Sequence, residues 1–322
     1  MIDLLKVRYP HNEISTYVGK LIHFSEKPAY EGFLITDFDT KNLYRFVVTE
    51  KYDSAKEYPL QFSNNEPLTY SKNEYISRAT NFLNELIERK FLKAIFSRVK
   101  KVDFDAQKTE LFFKKLCENY PDAFVYLLSS EKLGTWVGAS PEYVLEKTGI
   151  ELFTMALAGT KKDATIEWTE KERLEQEYVA KFIENSLRNI KVQKLKSIGP
   201  YDYQAGPVIH LKTDIYAESE RSPLELALFL HPTPAVSGLP KMESIELISK
   251  HEQHERSLYA GLIGFYSPQN TSLYVNLRCA QIRKNAAYLY LGGGFTKDSD
   301  VVKEWEETEN KSRTLINILE QL

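Results

Sequence analysis

The sequence predicts an α+β fold in which antiparallel sheets carry helices on their outer faces. Three observations predict it. Strand-like runs follow one another at hairpin spacing, with helical stretches between groups of them, which is the pattern of segregated sheets and helices. Hydrophobic residues make up 43% of the 322 residues and charged residues 27%, an ordinary globular balance in a chain long enough for a large core. Aromatic residues reach 12%, with 20 Tyr and 17 Phe, and such side chains favour sheets.

Residues 1–70 read as an N-terminal sheet portion with loops. Short apolar alternations, Tyr30 to Ile35 and Leu43 to Val48, sit between Pro28, Gly32, Pro59 and a polar Ser63-Asn64-Asn65 turn. At Ser71 the pattern becomes helical. Ser71 and Glu74 have capping-box spacing, and Ile76, Ala79, Leu83, Leu86 and Ile87 recur three to four residues apart. Lys93 to Val99 reads as a strand. Asp105 to Glu118 reads as a helix that stops before Pro121. Strands are expected at Phe124–Ser129, Thr135–Gly138, Tyr143–Glu146 and Ile150–Leu157, followed by a long charged helix over Glu167–Asn189. Val208 to Ile215 alternates again, and Pro223 to Leu230 is a short helix opened by its proline. The last third predicts strands Leu258–Tyr266, Ser272–Ile282 and Tyr288–Leu291. Gly292-Gly293-Gly294 ends the third, and a helix runs over Ser299–Leu319.

Composition narrows the function. Lys+Arg number 42 against Asp+Glu 45, a net charge of −3, so no basic field for nucleic acid or an anionic membrane is expected. Cys117 and Cys279 cannot build a disulfide framework, which points to a reducing compartment. No apolar run approaches the roughly 20 residues that span a bilayer. The opening MIDLLKVRYPHNEIS lacks a signal peptide's apolar core. A cytoplasmic protein is expected.

Several residues could carry chemistry, and each has a structural alternative. Glu172 and Glu175 lie three apart on one predicted helix, Glu304 and Glu307 three apart on another. Two helix faces with paired carboxylates could hold a hard cation such as Mg2+, or could be solvated salt-bridge faces. The glycine triplet could bring amides close to an anion, or could be a sheet-end turn. It matches neither a dinucleotide nor a Walker fingerprint. His251-Glu252-Gln253-His254 has its histidines three apart, not the four a zinc-protease helix needs, and reads as a polar helix end. Lys93 in an apolar strand could serve as a base or sit at a strand edge. His231-Pro-Thr-Pro-Ala-Val-Ser-Gly238 is a stiff loop able to place backbone groups near a ligand, or a plain connection.

Taken in order, these segments resemble the chorismate-utilising enzymes, and among them the isochorismate synthases. The blocks that carry the resemblance are Lys93-Ala-Ile-Phe-Ser-Arg98, Gly138-Ala-Ser-Pro-Glu142, Leu157-Ala-Gly-Thr160, Lys171-Glu-Arg-Leu-Glu175 and the loop from His231 to Gly238. Leu277-Arg-Cys-Ala280, Gly292-Gly-Gly294 and Glu304-Trp-Glu-Glu307 with Lys311 complete the set. They cover roughly residues 75–320; residues 1–70 carry no matching block. The resemblance implies one chorismate-binding domain over 1–322, with 71–322 as the motif-bearing core. Its fold would be like that of anthranilate synthase component I, an antiparallel sheet sandwich with outer helices. It implies chorismate as substrate, Mg2+ as cofactor and a monomer.

The resemblance also implies roles. Glu175 and Glu307 would hold Mg2+ on one substrate carboxylate, with Glu172 and Glu304 close by or binding through water. Arg278, Lys311 and the amides around Gly293 and Gly294 would meet the other carboxylate. Ala158, Gly159, Thr160, His210, Ala235 and Tyr259 would line the substrate. Lys93 would deprotonate a water that attacks the ring, and Glu142 would protonate the departing hydroxyl on the opposite side. The lysine must therefore be neutral and the glutamate protonated.

The nucleophile separates the branches. Aminodeoxychorismate synthases carry a lysine where this chain has Ala158, so water is the expected nucleophile. The run that follows the helix glutamate in anthranilate synthases is absent; the chain reads Glu175-Gln-Glu-Tyr-Val179. Ala235 stands where salicylate synthases tend to carry threonine. The expectation is an isomerase, an isochorismate synthase serving menaquinone or catechol siderophore synthesis. The alternatives are a salicylate synthase that goes on to eliminate pyruvate, and a catalytically silent chorismate-binding subunit. Three features depart from the family pattern: Gln176 in place of histidine, Asn310 in place of an acidic residue, and a short stretch between Gly159 and Glu175.

Overall fold

A computed structural model describes residues 2–24, 31–206 and 208–322. The expected strand start at Tyr30, and Pro28 before it, lie outside the described residues. In chain order the elements are β1 (Asp3–Arg8), β2 (Ser15–Phe24), β3 (Gly32–Thr36), β4 (Leu43–Glu50), α1 (Lys72–Glu88) and β5 (Lys93–Asp103). Next come α2 (Thr109–Asn119), β6 (Phe124–Ser130), β7 (Gly134–Ser140), β8 (Tyr143–Thr148), β9 (Glu151–Lys161), α3 (Glu170–Asn189), β10 (Gln193–Ala205) and β11 (Val208–Glu218). The chain continues through α4 (Pro223–Leu230), β12 (Gly238–Leu239), α5 (Lys241–His251), β13 (Leu262–Tyr266), β14 (Asn270–Val275), β15 (Cys279–Arg283), β16 (Ala286–Phe295) and α6 (Val301–Leu319).

The strands join in one hydrogen-bonded order, β10-β11-β9-β8-β14-β13-β3-β4-β2-β1-β6-β7-β15-β16-β5-β12, with antiparallel pairing throughout. The sheet folds back on itself. Phe124 of β6 and Tyr274 of β14 belong to strands well apart in that order, yet their rings stack at 4.7 Å and 12°. The main core lies between the two halves and under α1, α3, α4 and α5. A second core fills the space between the other face of β6, β7, β15 and β16 and the helices α2 and α6. The expected antiparallel α+β sandwich with outer helices is therefore what the chain forms.

Two short crossings connect the halves. Pro141 and Glu142 link β7 to β8, and Asn276–Arg278 link β14 to β15. They are tied together: Val275 N–H donates to Glu142 O at 3.0 Å, and Ala139 N–H to Arg278 O at 3.1 Å. A single strand was expected over 272–282. It is instead broken where Arg278 turns into the left-handed region at φ 48, which strains a non-glycine residue. That break carries a candidate site residue.

Other differences have local causes. The capping box of α1 forms as expected: Glu74 N–H donates to Ser71 Oγ at 3.3 Å, and Ser71 N–H to Glu74 Oε2 at 2.8 Å. The buried stripe of α1, however, is Tyr75, Ala79, Phe82 and Leu86, while Ile87 is exposed. Tyr75 and Phe82 each pack on Phe96, so the larger aromatic residues claim the core. Strand β10 gives no periodic signal because it is an edge, largely exposed on both faces and interrupted by Gly199-Pro200 with register shifts. The expected strand start at Leu258 is a turn with Ser257 and Ala260 at φ 50 and 61. The glycine triplet does not end a strand; it lies within β16, where Gly292, Gly293 and Gly294 pair with Ser97, Phe96 and Ile95 of β5.

Candidate active site

A cleft opens at the seam of the two sheet halves, with about 700 Å³ of atom-free space, part of it continuous with solvent. Its walls come from β5 (Lys93, Ile95), the two crossings (Glu142, Arg278), β9 (Ala158, Gly159, Thr160), β11 (His210), the 231–238 loop (Ala235, Val236) and β16 (Gly292, Gly294). Tyr259, Glu175 and Lys311 complete it. Residues spread from 93 to 311 therefore meet in one place. Of the residues expected in the site, Gly293, Glu172, Glu304 and Glu307 do not line the cleft.

Lys93 opens β5, is 0% exposed, and its Nζ lies 2.9 Å from Glu175 Oε1. Glu142 is 3% exposed. Burial pushes its carboxyl from the usual 4.5 up to about 8, against the pull of Lys93, Arg278 and Lys311. At neutral pH it holds a proton it can give away. His210 is neutral, pushed down to about 3 by burial and the nearby Arg278 charge. Its Nε2 lies 3.1 Å from Arg278 Nη2, which can only donate, so Nε2 accepts. Nδ1 then carries the hydrogen and donates to Gly159 O at 2.7 Å, with Thr160 Oγ1 at 3.3 Å. The histidine thus orients the guanidinium that the second crossing brings in.

Three candidate carboxylates, Glu175 of α3 and Glu304 and Glu307 of α6, each stand against a lysine. Beside the Glu175–Lys93 pair, Lys171 Nζ is 2.5 Å from Glu304 Oε1 and Lys311 Nζ is 2.6 Å from Glu307 Oε1. Lys311 Nζ also donates to Gly292 O at 2.9 Å. Burial and the neighbouring Glu307 push Glu304 up to about 7. Glu307 is held low because Lys311, Lys171 and Lys93 outweigh its burial. The glycines leave room for this assembly. A Cβ on Gly294 would stand 2.3 Å from Glu175 Oε1, and one on Gly292 would stand 2.7 Å from Tyr259 Oη. Gly293 faces Glu304, whose Oε2 would be 3.2 Å from its Cβ.

The donor set fits a hard cation in part. All the candidate ligands are carboxylate oxygens, as Mg2+ prefers. Glu304 Oε2 is buried without a hydrogen-bond partner, and such an atom calls for an explanation. Yet among the described residues no group of three or more His, Cys, Asp or Glu side chains is gathered closely enough to hold a metal ion; lysines stand between them. Glu172 is placed differently. It closes the capping box of α3, accepting from Thr169 N–H at 3.0 Å and from the Thr169 hydroxyl. Its structural partner lies three residues before it, at Thr169, and not three residues after it, at Glu175.

The structure gives places to Lys171, which the sequence did not single out, and to Gln176, which it marked as a departure from the family pattern. Lys171 sits inside a quoted block without a role, yet it is the partner of Glu304. Burial alone would lower its pKa, but Glu304, Glu175 and Glu307 together hold it above the usual lysine range. Gln176 donates its amide to Thr213 Oγ1 at 2.6 Å, which ties α3 to β11 rather than to the cleft. The His251–His254 segment does end α5, but Glu252 and His254 then turn inward and are buried.

Among the described residues no helix is long and apolar enough to cross a membrane. The sequence model of one protein family, described as chorismate binding enzyme, matches residues 35–320. Isochorismate synthase EntC of Escherichia coli (strain K12) is 28% identical over 84% of this chain and 73% of its own length. The structure of MenF, described as the menaquinone-specific isochorismate synthase from Escherichia coli, superposes with a TM-score of 0.82 at 20% identity, covering 98% of this chain and 88% of that one. Anthranilate synthase component I from Streptococcus pneumoniae TIGR4 gives 0.71 at 16% identity, over 98% and 92%.

Proposed function

The chain belongs to the chorismate-binding enzymes, and from that premise we propose that it converts chorismate to isochorismate with water as nucleophile and Mg2+ as cofactor. The observation that carries the reading is the pairing of Lys93 with a protonated Glu142 in one cleft, with Ala158 where a covalent lysine would otherwise stand.

Lys93, released from its ion pair with Glu175 when that carboxylate turns to the cation, takes a proton from the attacking water at Nζ. Glu142, on the β7–β8 crossing, gives its proton to the departing ring hydroxyl, and the ring double bonds shift. Each group contributes about 10²–10⁴-fold as an acid or base, and the walls add orientation. Arg278, steadied by His210, and Lys311 meet a substrate carboxylate through charge-assisted hydrogen bonds. Glu175 and Glu307 would hold the cation, with Glu304 near it or bound through water, while Glu172 stays in the cap of α3. When bound, the cation neutralises the other carboxylate and fixes its direction. Chorismate brings two negative charges and the cation two positive ones, so together they leave the charge balance of the cleft unchanged. Lys171 remains to cover Glu304. A cytoplasmic monomer supplying menaquinone or siderophore synthesis goes with this reading.

Purified protein incubated with chorismate and Mg2+ tests it by product separation. Isochorismate as the sole product is expected. Salicylate with pyruvate would move the reading to the lyase branch, and anthranilate formed only with ammonium would overturn it. Binding without turnover would make the chain a silent subunit.

A further inference from the structure

The segment after α5 takes no part in the chemistry above, yet it holds a buried ion pair directly behind the cleft wall. Arg256 and Glu252 side chains are 4% and 3% exposed. They meet as a fork: Arg256 Nε donates to Glu252 Oε2 at 2.8 Å and Nη2 to Oε1 at 2.7 Å. The remaining donors reach two backbone carbonyls, Nη1 to Val236 O at 2.8 Å and Nη2 to Ile95 O at 3.1 Å. Glu252 Oε1 also accepts from Ser97 N–H at 2.6 Å, and the guanidinium lies 4.2 Å from the Phe38 ring centre. Ile95 and Val236 both line the cleft. Ile95 shares a strand face with Lys93, two residues away, and Val236 follows Ala235. Tyr259 N–H donates to Arg256 O at 2.9 Å, which joins a third wall residue to the same point.

A buried ion pair gains little over a well-packed apolar pair of the same volume, so stability alone does not account for a fork aimed at two wall carbonyls. A planar guanidinium with fixed donor directions does set the separation of the groups it bridges. We propose that Arg256, held by Glu252, is a positioning residue that fixes the Ala235–Val236 wall against the strand carrying Lys93, and so fixes where the substrate ring lies relative to Lys93. The proposal rests on the reading of the cleft as the chorismate site. Misplacement by about 1 Å costs up to 10²-fold in rate.

The test measures kcat, KM for chorismate and Tm for the full-length wild type, Arg256→Lys, and the charge-neutral double variant Glu252→Gln with Arg256→Met. Lysine retains the ion pair but cannot bridge both carbonyls. The expected result is a folded Arg256→Lys with kcat lowered at least tenfold and KM changed less than threefold, and a larger kcat loss in the double variant. A folded Arg256→Lys with both constants within twofold of wild type would overturn the positioning role while leaving the function intact. Failure of both variants to fold would overturn it too, since the pair would then be a requirement of the fold. A wild type without turnover would instead overturn the functional reading on which the proposal stands.

Discussion

Two buried charged clusters lie on either side of β5, and they are satisfied to different degrees. Behind the strand, Glu252 and Arg256 use their polar atoms on each other and on three backbone groups. In front of it, Lys93 Nζ lies at ion-pair distance from Glu175 but makes no hydrogen bond, Glu304 Oε2 has no partner, and Glu142 keeps its proton up to about pH 8. A saturated network holds a geometry, while an unsaturated one leaves groups ready for a ligand and carries unfavourable energy. The front cluster should therefore govern rate at little benefit to stability, and the rear cluster should govern position.

Lys93→Ala tests the contrast most strongly. Turnover should fall by about 10²–10⁴-fold with the fold retained, read by steady-state kinetics beside circular dichroism and Tm. Near-wild-type activity would remove Lys93 as the base, and loss of the fold would erase the distinction between the clusters.

Glu142→Gln should lower kcat by a similar or smaller factor, and it should also remove a pH limb. In the wild type, kcat/KM should decline above about pH 8 as Glu142 loses its proton. The contribution of this group to stability falls with rising pH as well. The native state binds the Glu142 proton up to about 8 and the unfolded chain only up to about 4.5, so this group's contribution is fully present below 4.5 and lost as pH rises through 8. The glutamine variant lacks that loss and should be the more stable protein at pH 8, by on the order of a few kcal/mol. Denaturant melts at pH 5 and pH 8 would show it, and an equal ΔG gap at both pH values would contradict it.

Glu175→Gln gives a smaller effect on rate, through the ion pair with Lys93, and shows itself mainly in the cation requirement. The Mg2+ concentration for half-maximal activity should rise roughly 10–100-fold. An unchanged Mg2+ titration would take Glu175 off the ligand set.

How much of this was legible in the sequence follows from where each signal comes from. Helices α1, α3 and α6 and the buried strands show themselves through periodicity and caps, because their burial patterns repeat along the chain. The edge strand β10 lacks such a repeat, and the buried stripe of the short helix α5 is only Ser244, Leu247 and Ile248. The break at Arg278 is also invisible locally, since β14 and β15 are each largely buried and only their separation into two sheet halves parts them. Residues such as Lys93 and Glu142 were found by resemblance to a family, not by spacing. The partners that matter here, Lys171 for Glu304 and Arg256 for the cleft wall, arise from contacts between segments far apart in sequence. The paired glutamates of α3 show the limit of spacing arguments: Glu175 reaches the cleft, whereas Glu172 caps its own helix.

The central claim is that Lys93 and Glu142 work as base and acid on a solvent water, and turnover of chorismate in H2¹⁸O with Mg2+ tests it most directly. Mass spectrometry of early product should find one ¹⁸O in isochorismate at the new ring hydroxyl. Isochorismate formed without ¹⁸O would show that the hydroxyl never left the substrate, and would contradict the account.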